Sequence, residues 1–549
     1  MIPLLTTQLL TSLEKVFPDQ EPQAPPHRQG IMLKNEQYSF QLAYFSPQQI
    51  WEDVYLEVVS PLTDYIQVYV VGLIPVEIPI RFPHDNNVLR TTPGLYPDLL
   101  SPVGPSDKIP ILPQQWRSLW VTITDPTVFA GQTTSITLLF KLKSGSILAQ
   151  ETLQLEILDL ALPEPELIHT EWLHTDCLAT WYDVEVFSEE YWQRTKQYIK
   201  MAREHGVNMI LTPLFTPPLD TAVGGERPTV QLVDVTKNSD GYLFGFEKLE
   251  RWVSMCNELG VDYLEFSHLF TQWGAKHAPK IIANVDGEIT KIFGWETDAT
   301  GSEYKSFLNA FLPQLVQFIH PHDLNERVFF HISDEPSLSD LDSYKSASHL
   351  MQHHLAELPI MDALSDYEFY STGAVKNPIP ATNHIEPFLQ NKVPNLWTYY
   401  CSSQGMDVSQ RFLSMPSARN RILGLQLYKF QISGFLHWGF NFYYSQYSRE
   451  AIDPYRVTDG GHWVPAGDTF IVYPGPHGPL PSLRLKVLHE GLQDLRALQL
   501  LETFIGRDRV LELLEEDLER PLTFSTYPSS AEWLLAKRDK VNKLLKMHR

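Results

Sequence analysis

Alternation of apolar and polar positions opens the chain. Tyr38, Phe40, Leu42 and Tyr44 alternate with Ser39, Gln41 and Ala43, the period-two pattern of a strand with one buried face. Further apolar, β-branched runs at 66–71, 119–124, 136–142 and 153–158 are separated by turn signals such as Asp125-Pro126 and Ser144-Gly145-Ser146. Short strands at such spacing predict a β-sandwich. Leu162-Pro163-Glu164-Pro165-Glu166 then reads as a linker, because proline fixes its own φ and restricts the residue before it.

Beyond the linker the pattern switches to strand and helix in turn. Strands are predicted at 171–178, 208–214, 263–270, 327–333, 360–364, 379–384, 396–401 and 434–442, with helices at 189–204, 246–259, 304–319 and 340–358. Eight such units favour a closed (β/α)8 barrel of the TIM type over a doubly wound sheet. Two insertions follow predicted strands. Residues 216–242 have little periodicity, and 281–295 reads as a hairpin turning at Asp286-Gly287. Long loops after barrel strands build sites or lids. From Ser482 onward the pattern is helical, with Leu485, Leu488, Leu492, Leu495 and Leu498 on one face. The predicted organisation is a β-sandwich over 1–165, a barrel over 166–480 and a helical region over 481–549.

Charge narrows the partners. In 549 residues, 43 basic and 66 acidic side chains leave a formal net charge of −23, which repels a nucleic-acid backbone or an anionic membrane. Cys177, Cys256 and Cys401 are too few and too scattered for a disulfide framework or a zinc site. No run is long and apolar enough for a membrane span. The N-terminus has no basic residue before an apolar stretch that threonines interrupt, a poor secretory signal, so the expected location is the cytoplasm. No Walker loop, dinucleotide fingerprint or G-x-S-x-G elbow occurs. His320, His322 and Asp323, and the His353-His354 pair, lack convincing metal spacing, so neither metal nor cofactor is expected.

The sharpest feature is Val328-Phe329-Phe330-His331-Ile332-Ser333-Asp334-Glu335-Pro336, an apolar strand ending in two adjacent acids. Barrel chemistry sits at C-terminal strand ends. Alternation sends Val328, Phe330 and Ile332 under the helices and His331, Ser333 and Glu335 inward. Adjacent acids repel, which raises one pKa, and a raised carboxyl is a general acid for acetal cleavage. Strict alternation aims Asp334 away from Glu335, so the pair needs a bend at the strand end. In the competing reading both are ordinary loop acids beside a helix whose start at Ser339 and Asp342 resembles a capping box.

Other predicted strand ends carry sugar-binding chemistry. They supply Trp172, His174 and Asp176, then His268, then Trp397 and Tyr399, then Trp438 and Asn441. Aromatic faces stack on the C–H face of a sugar, and His and Asn bond its hydroxyls.

Taken in order, S-D-E-P, L-W-T-Y-Y-C, R-N-R-I-L-G (419–424), G-F-L-H-W-G-F-N-F-Y, G-D-T-F-I-V-Y-P-G-P (467–476) and P-S-L-R-L-K-V-L-H-E-G-L-Q-D-L from Pro481 resemble the domain of unknown function 4091, which is similar to glycoside hydrolase family 123. The resemblance spans roughly 166–505. It implies a retaining β-N-acetylgalactosaminidase in which the substrate's own acetamido oxygen attacks the anomeric carbon, giving an oxazolinium. It also implies that Glu335 is the general acid and base and that Asp334 orients the acetamido N–H. By position, Tyr399 is then the candidate to bond the acetamido oxygen and Trp438 to floor the sugar. The expected partner is an oligosaccharide or glycoside substrate. Two alternatives stay open: a glycosidase with a separate carboxylate nucleophile, Asp176 or Glu171, and a barrel that binds carbohydrate without cleaving it.

Overall fold

The computed structural model describes residues 5–355 and 357–548. The N-terminal region is built of two sheets. One is antiparallel, in the order Thr6–Thr11, Gln37–Phe45, Trp116–Thr124, Ile66–Val76, Gly94–Val103. The other runs Gln29–Lys34, Ile147–Ala161, Thr133–Leu142, Val54–Val59, with only its first pair parallel. Phe40, Leu42, Leu119 and Val121 from the first sheet share one core with Met32, Ile136, Leu138 and Leu153 from the second.

The strand Gln37–Phe45 departs from its expected half-burial. Gln41 on its other face is fully buried, donating to the carbonyls of Thr11 and Glu14 at 3.2 and 2.8 Å. This outer face rests on the helix Leu483–Ile505, through Ser12 to Glu490 (2.7 Å) and Gln37 N–H to Gln493 (2.7 Å). A buried polar group is tolerated there because it is hydrogen-bonded.

The central sheet has six parallel strands: Val328–Phe330, Tyr263–Phe266, Met209–Thr212, Ile168–Glu171, Gly434–His437, Trp397–Tyr399. Met361–Ala363 and Asn377–Ile379 pair with each other. They meet the sheet edges only through single parallel bridges, Phe330 with Ile360 and Ala381 with Tyr399. The continuous ladder is therefore a half-barrel, not the closed eight-stranded ladder that the pattern predicts. Proline is the reason: Pro359, Pro378 and Pro380 flank or interrupt these two short strands, and each lacks a ladder donor.

Other strand predictions shorten in the same way. The stretch 171–178 splits into the end of Ile168–Glu171 and the helix Thr175–Tyr182, and 434–442 is ladder only over Gly434–His437. The helices Glu189–Glu204, Glu247–Glu258, Ser302–Ile319 and Leu341–His354 follow the expected order. The two insertions join in one four-stranded sheet, Gly241–Gly245, Asp234–Asn238, Ile281–Val285, Glu288–Phe293. Asp286 and Gly287 make its hairpin turn with φ of 53° and 94°, the positive values that such a turn requires.

The helix Leu483–Ile505 is buried on more than its leucine face. Arg421 pairs with Glu490 (2.7 Å) and Asp494 (2.7 Å), and Arg538 joins Asp494 (2.6 Å) to Glu36 (2.5 Å). Contact with the helix Leu423–Lys429 is set by glycine. A Cβ on Gly424 would lie 1.8 Å from the Gly491 carbonyl oxygen, which nothing but backbone movement relieves. Gly424→Ala is expected to cost about 1–3 kcal/mol by forcing the helices apart. Chemical denaturation tests this, and an unchanged midpoint would show slack at the crossing.

Candidate active site

A cavity of about 220 Å³ opens at the C-terminal ends of the parallel strands. Trp172, Tyr399 and Leu436 form its buried inner end; Asp334, Glu335 and Trp438 line it further out. A larger cavity of about 440 Å³ lies between the helix Leu341–His354 and residues 357–360 and 374–377, but it holds no paired acids.

The two acids reach one cavity because the ladder ends early. Val328–Phe330 stops before them, and Glu335 adopts φ 44°, which breaks the alternation that aims neighbours apart. A non-glycine residue held there is strained, and the surroundings must compensate. Glu335 N–H donates to the Ala363 carbonyl at 3.0 Å, and the Asp334 carbonyl accepts from Trp273 N–H at 2.8 Å. Upstream, the Asp362 carboxylate accepts from Ile332 N–H at 3.0 Å and Ser333 N–H at 3.3 Å. The following helical turn is capped by Ser337 with Asp340, not by Ser339 and Asp342, and neither acid of the pair is used in the cap.

Both carboxyls sit above their usual range. Burial raises Asp334, and Glu335, Asp362 and Asp220 add to it, against the positive His331. Glu335 opens to the cavity, yet protein crowds its carboxyl. Burial raises it, the Tyr399 hydroxyl that donates at 2.5 Å pulls it down, and Asp468 pushes it up. Either group is thereby suited to hold a proton at higher pH than a free carboxylate.

Below the pair lies a buried charge network. His331 is gripped by Glu265 through Nε2 (2.6 Å) and by Asp362 through Nδ1 (3.3 Å). Burial opposes its charge, but the two carboxylates prevail and carry it to about 10. His268, His331 and Asp362 are close enough to suggest a metal site. Both ring nitrogens of His331 are, however, already engaged by carboxylates, Nε2 by Glu265 and Nδ1 by Asp362. Among the described residues, the other histidine groups flagged in the sequence form no three-ligand cluster. His322 bonds the Phe318 carbonyl and His354 bonds Asn309.

The remaining predicted residues divide in two. Trp172, Tyr399 and Trp438 line the cavity; His174, His268, Trp397 and Asn441 do not. The polar atoms of Asn441 and His174 are used in positioning. Asn441 binds the backbone of His174, and His174 binds the Trp438 carbonyl at 2.8 Å and Arg227 at 3.1 Å. His268 stacks on His331 with ring centroids 4.3 Å apart. The Trp397 ring fills the space where a Cβ on Gly434 would stand. The Tyr399 hydroxyl gives its one proton to Glu335 rather than leaving it free for an acetamido oxygen. The two candidate nucleophiles are also committed: Asp176 is held by Arg227 at 2.6 and 2.8 Å, Glu171 by Arg411 at 2.6 and 2.9 Å. Neither lines the cavity.

Four acids escaped the sequence reading. Asp220 lines the cavity from the first insertion. Burial pushes it up to about 7, against the Tyr447 N–H that binds it at 3.0 Å. Glu265 receives the Trp172 indole at 2.7 Å, and Asp468 receives the Trp438 indole at 3.0 Å. Glu265 and Asp362 each interrupt an apolar strand, a signal that a buried charge has partners. Asp220, in a proline-rich loop, gives no such signal.

A family model described as the glycoside hydrolase 123 catalytic domain matches residues 172–501, more than half of the chain. The chain belongs to glycoside hydrolase family 123. Among solved structures, this family 123 chain is similar to a family 123 glycoside hydrolase from Clostridium perfringens, described for glycolipid glycan hydrolysis. The two share 15% identity over 98% of this chain and 97% of that one, with a TM-score of 0.74. That likeness concerns the fold. The endo-β-1,4-mannanase from Thermotoga petrophila aligns over 60% of this chain and 76% of its own, at 14% identity and a TM-score of 0.33, too low to carry an argument. No curated protein sequence matches. Family membership makes the chain a glycoside hydrolase acting on glycans, and among its described residues no helix is long and apolar enough to cross a membrane.

Proposed function

We propose that this enzyme removes a terminal β-linked N-acetylhexosamine, with N-acetylgalactosamine favoured, with retention and through an oxazolinium intermediate. The observation that carries the reading is the left-handed Glu335, which turns two adjacent acids into one cavity while Glu171 and Asp176 stay locked on arginines. Glu335 protonates the departing glycosidic oxygen. Asp334 accepts the acetamido N–H and stabilises the positive charge that grows as the acetamido oxygen bonds to the anomeric carbon. Glu335 then takes a proton from water, which opens the oxazolinium at that carbon. Trp438, its indole fixed by Asp468, floors the sugar. In this reading the half-barrel and the two short strands act as one eight-membered ring, with the chemistry on its C-terminal rim.

A panel of aryl glycosides tests the proposal: β-N-acetylhexosaminides should turn over and plain β-galactosides should not. A second reading arises from Asp220, a further carboxyl in the same cavity. Turnover of plain glycosides that Asp220→Asn abolishes would favour a separate nucleophile, though a carboxyl near 7 is half protonated at neutral pH and correspondingly weak in that role.

Tyr399→Phe gives a signed pH prediction. The hydroxyl favours the ionised form of Glu335, so its loss raises the Glu335 pKa further. The acid then keeps its proton to higher pH, and the alkaline limb of kcat/KM should move upward. A limb that stays or moves down would remove Glu335 as the group that limits it.

A further inference from the structure

Among the described residues, the cavity wall contains one arginine, and it comes from the N-terminal region. Arg81 lies in the segment between Ile66–Val76 and Gly94–Val103 and lines the cavity beside Trp273 and Trp463. That segment is strapped to the catalytic region. Asp85 makes a two-pronged pair with buried Arg419, both contacts at 2.8 Å. Ala466 N–H donates to the Ile78 carbonyl at 2.8 Å, and Leu89 N–H to the Ser414 carbonyl at 2.7 Å. Arg81 is thus carried to the mouth by a fixed frame.

Its charge is unspent. The guanidinium donates to the Trp463 carbonyl and, among the described residues, has no ion-pair partner. Arg227, Arg411 and Arg419, by contrast, are each neutralised by a carboxylate. In a chain with 66 acids to 43 bases, an unpaired cation lining a cleft stands out. Its planar fork matches a carboxylate or a sulfate.

Position assigns the ligand to one side. Trp172 and Tyr399 form the buried inner end, whereas Arg81 and Trp273 are exposed. A terminal sugar fills the inner end, which leaves its leaving group at the outer one. We infer that Arg81 recognises an anionic group, a uronic carboxylate or a sulfate ester, on the leaving-group sugar, so that charged oligosaccharides are the preferred substrates. The inference rests on the terminal-sugar reading above.

Binding to the Glu335→Gln enzyme tests it without turnover. Three disaccharides are compared, each with terminal β-N-acetylhexosamine, joined to a neutral hexose, a uronic acid or a sulfated hexose. At least one charged disaccharide should bind about tenfold tighter than the neutral one, and this preference should shrink with added salt. Whichever anion gains more identifies the source. Adding Arg81→Met should bring the charged-to-neutral ratio close to one. A preference that survives Arg81→Met, or a neutral disaccharide bound as tightly as both charged ones, overturns the inference. Failure of the terminal-sugar reading shows elsewhere: the unsubstituted enzyme then leaves aryl β-N-acetylhexosaminides uncleaved, and the inference falls with it.

Discussion

Glu335→Gln is expected to lower kcat/KM on a β-N-acetylhexosaminide with a poor leaving group by about 10²–10⁴-fold, the usual contribution of a positioned general acid. The loss should be much smaller with a nitrophenyl leaving group, which departs without needing a proton. Asp334→Asn should behave differently. Its proposed role is to orient the acetamido group and stabilise charge, so its loss should depend little on the leaving group. Both acids are brought to one cavity by the turn at φ 44°, and neither substitution changes side-chain size. Steady-state kinetics on paired substrates checks the assignment. Equal losses for both leaving groups in Glu335→Gln would remove it as the acid, and undiminished activity in both variants would remove the site.

The second large effect concerns stability. Glu171 and Arg411 are both fully buried and joined at 2.6 and 2.9 Å, and Arg411 also donates to His437 Nδ1 at 2.7 Å. Arg411→Met leaves the carboxylate without a counter-charge and should cost about 3–5 kcal/mol. The pH dependence has a definite sign. Burial opposes the charge on Glu171, but Arg411 and His169 outweigh it and hold the carboxyl at about 2, below its ordinary 4.5. A depressed folded pKa contributes stability that is fully present above 4.5 and is lost as pH falls toward 2. In Arg411→Met the depression is gone, so the deficit should be largest at neutral pH and shrink on acidification as Glu171 protonates. Adding Glu171→Gln should recover much of the loss at neutral pH. Denaturation at pH 7 and pH 4 measures both effects, and a deficit that grows on acidification would show that the pair is not what stabilises this part of the sheet.

Local pattern carried the element order well. The alternation at Tyr38–Tyr44, the hairpin at Asp286-Gly287 and the leucine face after Ser482 depend on neighbours within a few residues, and each predicted element is there. Lengths were less legible. The apolar runs 171–178 and 434–442 are apolar because the region is buried, not because all of it is ladder, and hydrophobicity cannot separate the two.

The site was legible in part for the same reason. Two adjacent acids closing an apolar strand are a local signature, and aromatic residues at strand ends are another. The sequence by itself determined which groups were candidates, because the chemistry of a side chain and its place along a strand are written in the chain. Tertiary structure decided which of them share one cavity. Whether Glu171 is a nucleophile or the partner of Arg411 depends on a residue 240 positions away. Asp220 becomes part of the cavity only when its loop docks on Tyr447, and Glu335 faces Asp334's cavity only through a backbone angle that its surroundings impose. Charge compensation and cavity shape are sums over distant segments brought together in space, and no local window contains them.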